Sequence, residues 1–134
     1  MKPTHIEHIG IAVENLEEAR KYYEEVLGLE CYAIETVPDQ KVKTAFFKIG
    51  QTKIELLEST DPEGPIGKFI AKKGPGIHHL AFAFPEVASA LENAASKGIN
   101  LIDQAPRNGA EKLKIGFLHP KSTGGVLTEF CGEK

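Results

Sequence analysis

Four side chains carry the chemistry that this sequence offers: His8, Glu55, His79 and Glu129. Each glutamate stands in an otherwise apolar run, Ile54-Glu55-Leu56-Leu57 and Leu127-Thr128-Glu129-Phe130. A carboxylate turned toward an interior is costly unless it is paired or bound to metal. Taken singly, any of the four reads as a solvent-facing or hydrogen-bonded strand residue. Their spacing argues against that: 47 residues separate His8 from Glu55 and 50 separate His79 from Glu129, so the two His/Glu pairs fall at equivalent places in two halves of the chain. Two imidazoles and two carboxylates form a hard-to-borderline donor set, suited to Co, Mn, Ni, Fe or Zn as one divalent ion rather than to calcium. Such a centre stabilises a developing oxyanion as a Lewis acid. Its carboxylates are also potential proton acceptors.

The elements that must position these groups follow from an internal repeat. Ile6-Glu7-His8-Ile9-Gly10-Ile11-Ala12-Val13 aligns with Ile77-His78-His79-Leu80-Ala81-Phe82-Ala83-Phe84, each an apolar run with histidine third. A helix is predicted after each run. The first starts at Asn15, a good cap with Glu18 three residues on, carries Leu16, Ala19, Tyr23 and Val26 on one stripe, and stops at Gly28. The second carries Val87, Leu91, Ala94 and Ala95 and stops at Gly98. Three strands are predicted behind each helix: 29–37, 42–49 and 52–58 in the first half, with Gly50-Gln51 as a tight turn, and 99–104, 113–118 and 126–131 in the second. The expected fold class is α+β, two tandem βαβββ modules of about 5–58 and 77–131 within a single domain spanning 1–134. The connector, rich in Pro and Gly from Pro62 to Gly76, has room for a helical turn or two from Ile66 to Lys72.

Adjacent strand residues point to opposite faces, so only one of His78 and His79 can join His8. The repeat selects His79. His78 aligns with Glu7 and is read as a neighbour of the site, while His5 and His119 have no counterparts and are read as surface or loop residues.

The bulk properties narrow the partners. A net charge of -3 removes nucleic acid as a default partner. No apolar stretch approaches the roughly 20 residues that a membrane helix needs, and Met1-Lys2-Pro3-Thr4-His5 lacks the apolar core of a signal peptide. A cytoplasmic location is therefore expected. Cys31 and Cys131 form no CxxC, which argues against a thiol-based zinc or redox site.

The chain resembles the methylmalonyl-CoA epimerases of the vicinal oxygen chelate superfamily. The resemblance rests on His8-Ile9-Gly10-Ile11-Ala12-Val13, Thr52-Lys53-Ile54-Glu55-Leu56-Leu57, Gly76-Ile77-His78-His79-Leu80-Ala81-Phe82, and more specifically on Pro65-Ile66-Gly67-Lys68-Phe69-Ile70 and His119-Pro120-Lys121 with Gly124-Gly125-Val126-Leu127-Thr128-Glu129. It implies metal ligands of the pattern His, Gln or Glu, His and Glu, which fall on His8, Glu55, His79 and Glu129. It also implies cobalt as the favoured ion, an acyl-CoA substrate, a homodimer, and epimerisation by proton abstraction at C2 through an enolate. Glu129 and Glu55 are then the candidate proton-transfer groups. In some epimerases a glutamate proposed as base lies where this chain has Thr44. Lys53, two residues before Glu55 and on the same strand face, is a candidate substrate contact, against the alternative of a solvated rim lysine. Glyoxalase I shares fold, ligands and chemistry and is the alternative enzyme. An extradiol dioxygenase would use two His and one carboxylate with iron, and metal-free members of the superfamily act as drug-binding or resistance proteins.

Overall fold

All 134 residues are described by the computed structural model. The chain divides into two compact units, residues 8–78 and residues 1–7 together with 79–134.

In residues 8–78 the strands run in the order β2 (Ala33–Val37), β3 (Val42–Ile49), β4 (Thr52–Ser59), β1 (His5–Val13). β3 is antiparallel to β2 and β4, whereas β1 is parallel to β4. The turn predicted at Gly50-Gln51 joins β3 to β4, with Gly50 at φ +60°, where a side chain is disfavoured. α1 (Leu16–Lys21) opens as its capping residue dictates: Asn15 Oδ1 accepts the Glu18 amide at 2.9 Å. Glu58 Oε1 accepts the Leu16 amide at 2.6 Å and so fastens the helix start to β4. Leu16 packs with Ala45, Phe47 and Leu56, and Ala19 and Tyr23 extend that cluster.

The helix then widens into a π turn over Tyr22–Val26. This overturns one expectation: Val26, placed on the apolar stripe by 3.6-residue spacing, is 70% exposed. The i→i+5 winding takes it off the buried face. α2 (Pro65–Lys73) fills the predicted connector, with Pro65 in its first turn and Ile66 buried. Gly67 is needed there, because a Cβ would stand 2.6 Å from the Pro62 carbonyl oxygen.

In the other unit the order is β5 (Gly76–Ala83), β8 (Thr128–Gly132), β7 (Lys114–Leu118), β6 (Arg107–Asn108). β5 is parallel to β8, and β7 is antiparallel to both β8 and β6. α3 (Val87–Ser96) lays Val87, Leu91 and Ala94 against Leu118, Leu101 and Phe130. Ala90 joins this face, and Ala95, assigned to it from the sequence, points away and is exposed.

The strand expected at 99–104 is not formed. Leu101 makes a single bridge to Leu118, while the Ile102 and Asp103 amides both donate to the Phe117 carbonyl. Asp103 Oδ2 accepts the Phe117 amide at 2.8 Å, so a side chain takes the place that a strand would have filled on β7. Regular pairing resumes only beyond Pro106, for the two residues of β6.

Backbone crowding marks one further position. A Cβ on Gly132 would fall on the Phe84 carbonyl oxygen, a backbone atom whose own residue is tied by its amide to the Cys131 carbonyl and which cannot swing aside as a side chain could. Gly132→Ala is expected to cost about 3 kcal/mol by overpacking. In thermal unfolding followed by circular dichroism that is a loss of roughly 10 °C in Tm, and an unchanged Tm would refute the reading.

Candidate metal centre

Strand register brings each histidine to its glutamate. In the β1–β4 ladder Gly10 lies beside Glu55, and laterally paired strand residues share a face. His8 is two residues before Gly10 and therefore on that same face. Glu55 leans back along the strand, and its Oε2 stands 3.2 Å from His8 Nδ1, with both side chains less than a tenth exposed. In the β5–β8 ladder Ala81 lies beside Glu129, and His79 again precedes the small residue by two. Glu129 Oε1 stands 3.3 Å from His79 Nε2, and both side chains are again buried.

The two halves thus repeat one device, a carboxylate set beside Gly10 or Ala81 and reaching back to the histidine. The residue at that place is small in both halves, which leaves the carboxylate room to reach past it. The aligned Gly10 and Ala81 were visible in the sequence, but their role depends on a register that the sequence does not state. On the far side of each glutamate the repeat continues. Phe46 pairs with Glu55 and Phe117 with Glu129. Phe117 meets the His79 ring edge to face, centres 5.5 Å apart and planes at 79°. Neither phenylalanine was singled out from the sequence, although both stand at equivalent places in its third strand-like run.

The separations bear on what the pairs can hold. Charge-assisted N–H···O contacts run at about 2.7–2.9 Å, shorter than either pair. Donor atoms about 2.1 Å from an ion stand about 3.0 Å apart along an octahedral edge and about 3.4 Å apart along a tetrahedral one. The observed 3.2 and 3.3 Å lie within that interval. Buried nitrogen and carboxylate donors among apolar strands therefore fit a divalent ion in chemistry and in spacing.

The remaining histidines are engaged elsewhere. The His78 ring meets Phe69 of α2 edge to face at 5.0 Å. Burial, with Lys73 nearby, holds it down to about 4, so it is neutral at pH 7. His5 Nδ1 is 2.9 Å from Thr4 Oγ1, and His119 Nδ1 accepts the Lys121 amide. Lys53 lies beside His8 in the ladder and is half-buried. Thr44 is buried on the face of Phe46 and Glu55. Both cysteines are free thiols. Glu7, buried to 8% exposure, is a carboxylate that the sequence reading passed over.

The family model for the glyoxalase/bleomycin resistance protein/dioxygenase superfamily matches residues 7–117. The chain belongs to this superfamily, whose α+β architecture is the vicinal oxygen chelate fold. Within it, several similar proteins are named methylmalonyl-CoA epimerases, which are isomerases. The ethylmalonyl-CoA/methylmalonyl-CoA epimerase of Cereibacter sphaeroides is 34% identical over 92% of this chain and 94% of its own. A variant of Streptomyces coelicolor methylmalonyl-CoA epimerase, solved with 2-nitronate-propionyl-CoA, is 36% identical, with a TM-score of 0.94 over 97% of this chain and 94% of its own. The uncharacterised protein YqjC of Bacillus subtilis is 44% identical over 96% of this chain and 92% of its own. No helix is long and apolar enough to cross a membrane.

Proposed function

We propose that this chain interconverts (R)- and (S)-methylmalonyl-CoA, and that His8, Glu55, His79 and Glu129 together hold one divalent ion, cobalt being favoured by resemblance. The observation that carries the reading is the repeated register: two buried His/Glu pairs, built alike in the two halves, at 3.2 and 3.3 Å. Similarity to epimerases over nearly the whole chain supports it. When bound, such an ion supplies positive charge for the enolate oxygen.

The chain's own groups then account for the proton. The C2 hydrogen lies between a thioester carbonyl and a carboxylate, and inversion needs an acceptor on one face and a donor on the other. Glu129 and Glu55, one from each half, are the groups we assign to these faces, each serving as ligand and as proton carrier. A carboxylate engaged with an ion would be a poor base, so the transferring glutamate would act through an oxygen free of it. Lys53 is assigned a substrate contact at the His8 end of β4. A cytoplasmic homodimer is the assembly and setting we propose with this activity.

Metal-loaded protein incubated with methylmalonyl-CoA in deuterated water should exchange its C2 hydrogen. The hemithioacetal substrate of glyoxalase I, run in parallel, should not react, and the opposite pattern would replace the epimerase reading by the glyoxalase one. Glu55→Gln is expected to lower exchange by less than about tenfold, because exchange at C2, unlike inversion, needs only one of the two proton carriers, the amide oxygen still ligates and the resemblance allows Gln at this position. A loss above a thousandfold would assign the principal proton transfer to Glu55.

A further inference from the structure

One more charged side chain is held on the face that carries His79 and Glu129. The ladder pairs Arg107 with Ile115, Ile115 with Cys131 and Cys131 with Ala83. Lateral partners share a face, so Arg107 stands on the side of Ala83 and, by alternation, of Ala81 and His79. Two contacts hold its guanidinium, and one of the partners is itself fixed. Its Nε donates to Asp103 Oδ1 at 3.0 Å. Asp103, with a side chain 17% exposed, is itself held by the Phe117 amide on its other oxygen. The guanidinium carbon lies 5.7 Å from the centre of the Phe117 ring, and that ring is the one in contact with His79.

The Asp103 contact uses Nε alone. The two terminal nitrogens, on a side chain 38% exposed, carry no hydrogen bond. What remains is the fork that matches the paired oxygens of a carboxylate or phosphate. It is already oriented, so little rotamer entropy is lost when an anion binds. A surface arginine whose role ended with its salt bridge would have no need of an aromatic ring beneath it and a carboxylate anchored to the backbone behind it.

We propose that Arg107 anchors an anionic group of the acyl-CoA substrate through its two terminal nitrogens. The inference rests on the epimerase reading. The malonyl carboxylate and the CoA phosphates both have the required chemistry, and the test separates them.

Arg107→Gln is compared with the unaltered protein on methylmalonyl-CoA and on the methylmalonyl thioester of pantetheine, which keeps the carboxylate and lacks the phosphates. Metal content and Tm are measured alongside. With methylmalonyl-CoA, KM should rise at least tenfold while metal content stays the same. An equal rise with the pantetheine thioester identifies the carboxylate as the anchored group. A rise confined to the CoA substrate identifies the phosphates. Unchanged KM on both overturns the inference and leaves the epimerase reading standing, whereas an unaltered protein that exchanges no C2 hydrogen sinks both. Should Arg107→Gln fail to fold, Arg107→Lys decides in its place. It keeps the charge and loses the fork, so KM for methylmalonyl-CoA should still rise at least threefold, and a KM equal to that of the unaltered protein refutes anchoring through the fork.

Discussion

Glu129→Gln is expected to lower C2 hydrogen exchange by about a thousandfold or more while leaving the fold intact. General acid–base groups contribute about 10²–10⁴-fold, and the amide cannot accept a proton at neutral pH. Side-chain volume barely changes, and glutamine keeps an oxygen for the ion. The substitution therefore separates the two roles proposed for Glu129, which stands 3.3 Å from His79 and is buried with it. Metal analysis and single-turnover exchange on the same preparation distinguish them. Retained metal with lost exchange places Glu129 in proton transfer, and loss of both places it in ligation. Full activity in Glu129→Gln together with a dead Glu55→Gln would refute the assignment of roles.

The second large effect concerns the adjacent histidines. His79→Ala should reduce bound metal from one equivalent to near none, with exchange falling in step, because it deletes a buried donor and leaves Glu129 facing an uncompensated cavity. His78→Ala should keep its metal. Its ring packs on Phe69, and at about 4 its ionisation lies far below neutrality, so neither a ligand nor a charge is lost at pH 7. A neighbour of a metal site costs about 10–100-fold in affinity when removed, which saturating metal overcomes. Inductively coupled plasma measurement on protein equilibrated by dialysis against buffer containing saturating metal, with the free metal subtracted, reads the difference. Metal lost from His78→Ala and kept by His79→Ala would reverse the assignment. Thermal shift provides a second check, since a ligand at a hundred times its Kd stabilises by about 2.7 kcal/mol and only the variant that binds it should respond.

What could be read from the sequence was what depends on local chemistry or on repetition. Asn15 caps α1 because its short side chain reaches the Glu18 amide, a relation fixed by three residues of spacing. Gly50 marked its turn by the left-handed backbone it adopts there. The equivalence of the two His/Glu pairs was visible because two strand–helix units were aligned, with no knowledge of how the strands paired. Features that arise from pairing were out of reach. Nothing in the residues around Gly10 or Ala81 states that each lies beside a glutamate more than forty positions away. The apolar run 99–104 reads as a strand by composition, and it loses that form because Asp103 offers β7 a side-chain acceptor. Val26 fits the helical stripe only while the helix keeps 3.6 residues per turn, and the π turn that displaces it has no signature in the sequence. Arg107, one basic residue among 16, became distinct only through the ring beneath it and the carboxylate behind it.

The parallel ladders also set an order of assembly. β2, β3 and β4 are joined by short connections and can pair as successive hairpins. β1 reaches β4 only after about forty intervening residues have been drawn into a closed loop, and β5 meets β8 under the same condition. The entropy of each closure is spent before its hydrogen bonds are recovered. His8 and Glu55 lie on the two strands that meet in the first of these closures, and His79 and Glu129 on the two that meet in the second. Neither pair can form before its parallel ladder has closed, so each depends on one of these two long-range closures rather than on a local hairpin.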